Sequence, residues 1–314
     1  MPKNHEILFS PETVHIGFYD PTLPPVLRMD SGDRVTIHCL PAGEAGDMHP
    51  DRSKVFPEQW EVYEKCEQGP GPHLMTGPIY INGAEPGDTL EVRILEYELN
   101  QDWGWNLILP LYGTLPEDFP NLRRLHIPLD LEAMVAELPW GMKVPLSPFM
   151  GQLGVAPPPS YGRISSFEPR EHGGNFDNKD LLPGATVYLP VWNEGALFST
   201  GDGHAVQGHG EVCLTAIECG MIGTFELIVR KDLRLKFPRA ETPTHHMTMG
   251  LNEDLDDAAK QAVREMIALL GEIAGLSAED AYTLCSIAVD LRVTETVGGN
   301  KGIHAMLPKS ILNS

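Results

Sequence analysis

The sequence predicts a mainly β protein, with a β-sandwich or barrel-like core followed by a C-terminal α/β portion, and three observations lead there. Glycine and proline are abundant, 31 and 28 of 314 residues, a density of chain punctuation that suits short strands joined by tight turns and that long helices do not tolerate. A turn followed by period-two apolar alternation recurs along the first two-thirds of the chain. Helical spacing of apolar residues begins only beyond Pro243.

Taken in order, Ser31-Gly32-Asp33 leads into Val35 and Ile37, Pro86-Gly87-Asp88 into Leu90, Val92 and Ile94, and Pro183-Gly184-Ala185 into Val187, Leu189 and Val191. Proline presets φ at the first corner of a turn and glycine supplies positive φ at the second. The alternation then aims one face of each strand at a core. Val212 to Ile217 and Phe225, Leu227 and Val229 predict two further strands. The stretch 141–178 reads as loop, because GVAPPPSYG carries consecutive prolines and EHGGNFDN adjacent glycines. Loops of that length in a compact domain usually serve a site.

From Glu253 to Ala274 the residues Leu255, Ala259, Ala262, Met266, Leu270 and Ile273 fall at helical spacing, with Asn252 placed to cap the start and Glu253 and Asp254 suited to the positive end of the dipole. A second helix is expected from Ser277, whose hydroxyl caps while Asp280 stands three residues on, running through Ala281, Leu284, Cys285 and Ala288. Leu291, Val293 and Val297 then predict a closing strand. The expected division is a β-rich main domain over 1–242 that carries the site, and a helical hairpin plus strand over 243–314 packed against it.

Charge narrows the function. A formal net charge of −21 repels phosphate backbones and anionic lipid headgroups, which argues against nucleic-acid and membrane partners and leaves neutral or cationic small molecules. No stretch approaches the roughly 20 apolar residues that span a bilayer. The opening MPKNHEILFS has no apolar signal core. Five scattered cysteines, none spaced as CxxC, suit neither a disulfide framework nor a thiolate zinc finger. The expected location is a reducing cytoplasm.

The densest polar cluster is GALFSTGDGHAVQGHGE, residues 195–211, where Asp202, His204, Gln207, His209 and Glu211 are separated mostly by glycine and alanine. Small neighbours let polar side chains converge and a backbone approach a ligand. Asp, His and Glu are also the ligands that a catalytic divalent metal takes. The spacing matches no fixed zinc signature, and a glycine-rich turn with solvated polar residues is the competing reading. EHGGNFDN adds His172, Asn175 and Asp177, which an Asx-type turn and a surface histidine explain equally well in isolation. Thr76 and Gly77 before Pro78 could present a hydroxyl and an N–H to a carbonyl oxygen, and His73 nearby is a further ligand candidate. Of the adjacent His245 and His246, at most one faces a given site, and His245 is preferred. No G-x-S-x-G elbow is present, Ser199 lacks a base at a known spacing, Ser165-Ser166 is not set in a Gly/Ser-rich run, and Cys213 sits inside an apparent strand.

Four segments together carry a resemblance: TGPIYINGAEPGDTLEVRI (76–94), GQLGVAP (151–157), HGGNFDNKDLLPGATVYLPVWNEGALFSTGDGHAVQGHGE (172–211) and ETPTHHMTMGLNEDLDDA (241–258). In order and over most of the chain, the sequence resembles the acetamidase/formamidase family. The resemblance implies hydrolysis of the C–N bond of a small linear amide, a β-sandwich-like fold, homo-oligomeric assembly and a bound divalent metal, zinc with calcium as the alternative. His172, Asn175, Asp177, Asp202, His204, Gln207, Glu211, Thr76 and His245 match family positions. His209 departs from the family, which carries a carboxylate there, and IHCLPAGEAGD (37–47) departs from its acidic pattern. The expected ligand pool is His172, Asp177, Asp202 and His204. Glu211 is the expected proton carrier alongside Asp202, Thr76 the holder of the carbonyl oxygen, and Asn175, Gln207, His209 and His245 the substrate contacts. Two other readings stand beside this one: an amidase without catalytic metal acting on larger or cyclic amides, and a β-sandwich that binds a small ligand without chemistry.

Overall fold

The structure, a computed structural model, describes residues 2–312. Two large sheets pack face to face. The first has nine strands in the order Asn4–Ile7, Arg34–Cys39, Met221–Arg230, Thr89–Leu99, Thr186–Pro190, Arg239–Glu241, His245–Asn252, Lys301–Pro308 and Asp290–Glu295. The second has eleven, centred on Ala196–His204, which is flanked by Phe149–Gly154 on one side and by Leu74–Asn82 and Glu218–Cys219 on the other. Neither sheet closes into a barrel.

The predicted alternations make the core between the sheets. Val35, Ile37, Leu90, Val92, Val187, Leu189, Phe225 and Leu227 of the first sheet meet Ile79, Ile81, Met150, Leu153 and Phe198 of the second. Each fully buried Val, Leu, Ile or Phe stabilises the fold by about 1.5–3 kcal/mol relative to exposure, so the interlock of these two inner faces dominates cohesion.

Three expectations change on the structure. Val212 to Ile217 is turn, and the strand is confined to Glu218–Cys219. Leu214 has φ of +106°, which ends an extended run, and the Asn106 amide ties down the carbonyls of Thr215 and Ala216 at 3.0 and 2.9 Å. The stretch 141–178 is not all loop: it supplies the wholly buried strand Phe149–Gly154 and the short Gly173–Asn175. A strand buried on both faces has no alternation to read. The last strand, Lys301–Pro308, lacks a readable alternation for the same reason, with six of its eight residues buried.

The two helices form where expected, over Leu255–Ala274 and Ala278–Ala288. Ser277 caps the second by accepting from the Asp280 N–H, whereas the first is capped by Asp254, not Asn252. Ala262, Met266 and Leu270 pack on Ile303, Ala305 and Leu307 in an apolar cluster of their own. The nine-stranded sheet nevertheless runs without a break across 242/243, through Arg239–Glu241 paired with His245–Asn252. Val297, beyond the closing strand Asp290–Glu295, reaches the cavity described next.

Candidate active site

The site is built on the C-terminal end of Ala196–His204. Asp202 and His204 are two residues apart on this strand, and their side chains meet, with His204 Nε2 3.4 Å from Asp202 Oδ2. The neighbouring strand is in register through Met150 with Gly203 and Gln152 with Gly201, which leaves Gly151 beside Asp202. A β-carbon at Gly151 would strike Asp202 Oδ2 and come within 2.5 Å of Asp177 Oδ1. The absent side chain is therefore what lets the two carboxylates, 25 residues apart in sequence, occupy one place. Asp177, Asp202 and Glu211 all sit at left-handed φ of +46°, +59° and +46°, a conformation costing about 1–3 kcal/mol that clusters at functional sites.

His204 is the hub. The Gln207 amide donates to the Asp177 carbonyl at 2.7 Å, which orients its oxygen toward the His204 ring. His204 Nδ1–H accordingly donates to Gln207 Oε1 at 2.8 Å. That leaves Nε2 facing Glu218 Oε2 at 3.2 Å, Asp202 Oδ2 at 3.4 Å and Asp177 Oδ1 at 3.8 Å. Two ligand sets share it: Asp177, His204 and Glu211, and Asp202, His204 and Glu218. Asp177 Oδ1 and Glu218 Oε2 are buried without a hydrogen-bond partner, an arrangement that costs free energy unless a cation or proton is shared there.

The electrostatics follow from crowding. Burial pushes Asp177 up to about 7 and Glu218 up to about 8, with the His204 charge opposing. Burial, then the Asp177 charge, holds Glu211 well above the ordinary carboxyl range. Burial works in the same direction on Asp202, but His204 and His73 outweigh it and keep Asp202 ionised. For His204, burial opposes the imidazolium, and Glu218 and Asp202 override it to raise the ring well above its usual value. The donor set fits a divalent cation: one imidazole with its far nitrogen pinned, surrounded by carboxylate oxygens two of which lack partners.

The structure brings Asp177, Asp202, His204 and Glu211 together, with Gln207 orienting His204 and Asn175 donating to the Asp177 carboxylate. Four expected residues stand elsewhere. His172 is fully buried with its ring 4.8 Å from that of Tyr19, both its nitrogens are unpartnered, and it belongs to neither ligand set. Burial drives it down to about 3, so it is neutral. It sits in the turn ahead of Gly173–Asn175, where Gly173 and Gly174 take φ of +91° and +98° and redirect the chain. The Thr76 hydroxyl donates to the His38 carbonyl at 2.9 Å and does not line the cavity. His209 lies 3.6 Å from Asp180 and stacks near His304, in a separate cluster. His245 opens a strand, with its Nδ1 2.8 Å from the Thr244 hydroxyl, and does not line the cavity either.

Sequence reasoning missed Glu218, hidden in what reads as an alternating strand, and Glu295, a wholly buried carboxyl raised by burial and then by the Asp177 charge. His73, a ligand candidate from sequence, has a place here. It lines the cavity with Nε2 3.8 Å from Asp202 Oδ2 and Nδ1 2.8 Å from the Ser166 hydroxyl. The carboxylates open into a cavity of about 890 Å³, walled by the 42–47 segment, Trp105, Leu107, Leu109 and Phe167.

Comparison with known proteins agrees with this architecture. A formamidase of Methylophilus methylotrophus is 26% identical over 308 residues, covering 77% of this chain and 73% of its own. The structure of an acetamidase from Yersinia enterocolitica superposes with a TM-score of 0.87 at 31% identity, over 99% of this chain and 93% of its own. An acetamidase from Bacillus halodurans superposes with a TM-score of 0.84 at 30% identity, over 99% and 98%. The sequence model of the acetamidase/formamidase family matches residues 10–161 and 162–314, both halves of the fold and every residue of the cluster around His204. The chain belongs to the acetamidase/formamidase family.

Proposed function

We propose that this chain hydrolyses the C–N bond of a linear amide, giving a carboxylate and ammonia, at the cluster around His204. The observation that carries the reading is the convergence of Asp177, Asp202, Glu211 and Glu218 on His204 at the buried end of a cavity, with two carboxylate oxygens unpartnered. An amide is resonance-stabilised and its leaving amine is poor, so hydrolysis needs a base for the attacking water and an acid for the departing nitrogen.

Glu211 fits both roles. It lines the cavity, and burial and the Asp177 charge hold its carboxyl well above the ordinary range, which suits it to give a proton to the departing nitrogen and, in its ionised form, to take one from water. Asp202, kept ionised by His204 and His73, supplies fixed negative charge, and Gln207 holds His204 in one tautomer. A divalent cation held by Asp177, Asp202, His204 and Glu218 would act as a Lewis acid on the carbonyl and make water more acidic. Imidazole with carboxylates suits zinc, and the excess of oxygen donors suits calcium. Thr76 has no part in this scheme, since its hydroxyl is committed to His38.

The reading includes a homo-oligomer, and Leu111, Leu115, Phe119, Leu122, Trp140 and Met142 are exposed apolar side chains that a partner copy could cover. Five unpaired cysteines suit a cytoplasmic location. No helix among the described residues is long and apolar enough to cross a membrane.

The test is ammonia release from a panel of amides by purified protein, with Glu211→Gln beside it. The variant is expected to lose about 10²–10⁴ in kcat with its fold intact. Near-normal turnover would remove Glu211 from the role, and no ammonia from any amide would remove hydrolysis.

A further inference from the structure

The cavity is far larger than the smallest amides require. Its volume of about 890 Å³ lies in the range of about 300–1,000 Å³ that takes drug-sized ligands. At about 30 Å³ per water it holds about thirty solvent molecules, so an amide of four heavy atoms would leave most of it filled with water. The lining is also divided. The titratable groups Asp177, Asp202, His204, Glu211 and Glu218 are nearly fully buried at one end. Beyond them the lining includes an apolar set, with Trp105 and Leu107 buried and Leu109, Phe167, Leu214 and Val297 partly exposed, beside polar Tyr63, Gln68, Ser165 and Thr215. Phe167 and Tyr112 meet edge to face at 6.2 Å where the cavity opens.

The charged lining points the same way. Glu44, Asp47 and Glu168 also line the cavity, and Arg124, the one Lys or Arg among the lining residues, is held by Asp47 at 2.6 and 2.8 Å. A carboxylate on the substrate would therefore find no free partner and several like charges. An apolar group would instead displace water from Leu109, Phe167, Leu214 and Val297.

We propose that the substrate of this site is a primary amide whose acyl group carries an uncharged apolar chain or ring, seated along the Trp105–Phe167 wall while the carboxamide reaches Glu211. The inference rests on the amide-hydrolase reading and names its substrate class. Binding energy from the remote apolar group then acts at the reacting carbon by fixing the carboxamide in place.

The test compares kcat/KM for acetamide, hexanamide, phenylacetamide and succinamate with the purified full chain, by ammonia release. Hexanamide or phenylacetamide is expected to exceed acetamide at least about tenfold, as a pocket that gains from added methylenes does, with succinamate below both. Phe167→Ala and Leu109→Ala are expected to narrow that preference several-fold by lowering kcat/KM for the two larger amides more than for acetamide. Leu214→Ala serves as a third reporter should either variant misfold. Acetamide turned over as well as or better than the larger amides would overturn the inference and leave amide hydrolysis standing. No ammonia from any of the four would end both.

Discussion

Asp177 and Asp202 share one spot because Gly151 has no side chain, and that dependence is testable at a single atom. Gly151→Ala places a methyl against both carboxylates, and kcat/KM for amide hydrolysis is expected to fall at least about 100-fold, as misplacement by about 1 Å does. An unchanged circular-dichroism spectrum would assign the loss to the site, and full activity would show that the two acids do not need this spacing. Gln207 acts one step removed: its replacement by leucine frees the His204 Nδ1–H and is expected to lower metal affinity about 10–100-fold, read by titration of the chelated protein. These residues were legible in sequence because glycine and alanine surround Asp202, His204, Gln207 and Glu211. Glu218 was not, because V-C-L-T-A-I before it has the alternation of a strand and the turn at Leu214 leaves no mark in composition. His172 misled because the motif that contains it is real, yet its ring stands against Tyr19. Motif membership says nothing about which face a side chain takes.

At the scale of elements, strands with one solvated face announced themselves and strands with none did not. Val35 with Ile37, Leu90 with Val92, and Val187 with Leu189 all line the inter-sheet core, each preceded by the turn chemistry that starts it. Phe149–Gly154 and Lys301–Pro308 are buried on both faces and so lack a period. The helix Leu255–Ala274 packs on His245–Asn252 through Gly250, where an added β-carbon would run into the Ala258 carbonyl. Gly250→Ala is therefore expected to cost about 1–3 kcal/mol, the usual penalty of overpacking, measured by denaturant unfolding. The cluster around His204 lies on other strands, so amide turnover per folded molecule should be unaffected. A variant as stable as the parent would mean that helix and sheet are not in such close contact.

At the scale of the whole molecule, the acidity read from composition is unevenly spent. Most carboxylates are solvated, while Asp177, Glu211, Glu218 and Glu295 are buried together. Without a cation their raised pKa values make folding take up protons. The sign is fixed: the folded values of about 7 for Asp177 and about 8 for Glu218 exceed the unfolded values near 4. Their contribution is thus complete below about pH 4 and lost as pH rises through about 7–8. Chelated protein is expected to melt at least about 4 °C lower at pH 9 than at pH 5, the shift of one or two kcal/mol in a chain of this size. A bound cation replaces those protons and reverses the trend, since ligands must be deprotonated to hold it. Equal melting temperatures at both pH values in chelated protein would show that the carboxyl groups are not crowded as described.

In the proposed reaction the carboxylates around His204 hold a divalent cation that amide hydrolysis requires. Elemental analysis of the purified protein, repeated after exhaustive chelation and coupled to ammonia release, tests it most directly. Divalent metal in near-stoichiometric amount, loss of turnover as it is removed, and recovery on adding it back are expected. Full turnover in protein whose metal content has fallen close to zero would contradict it.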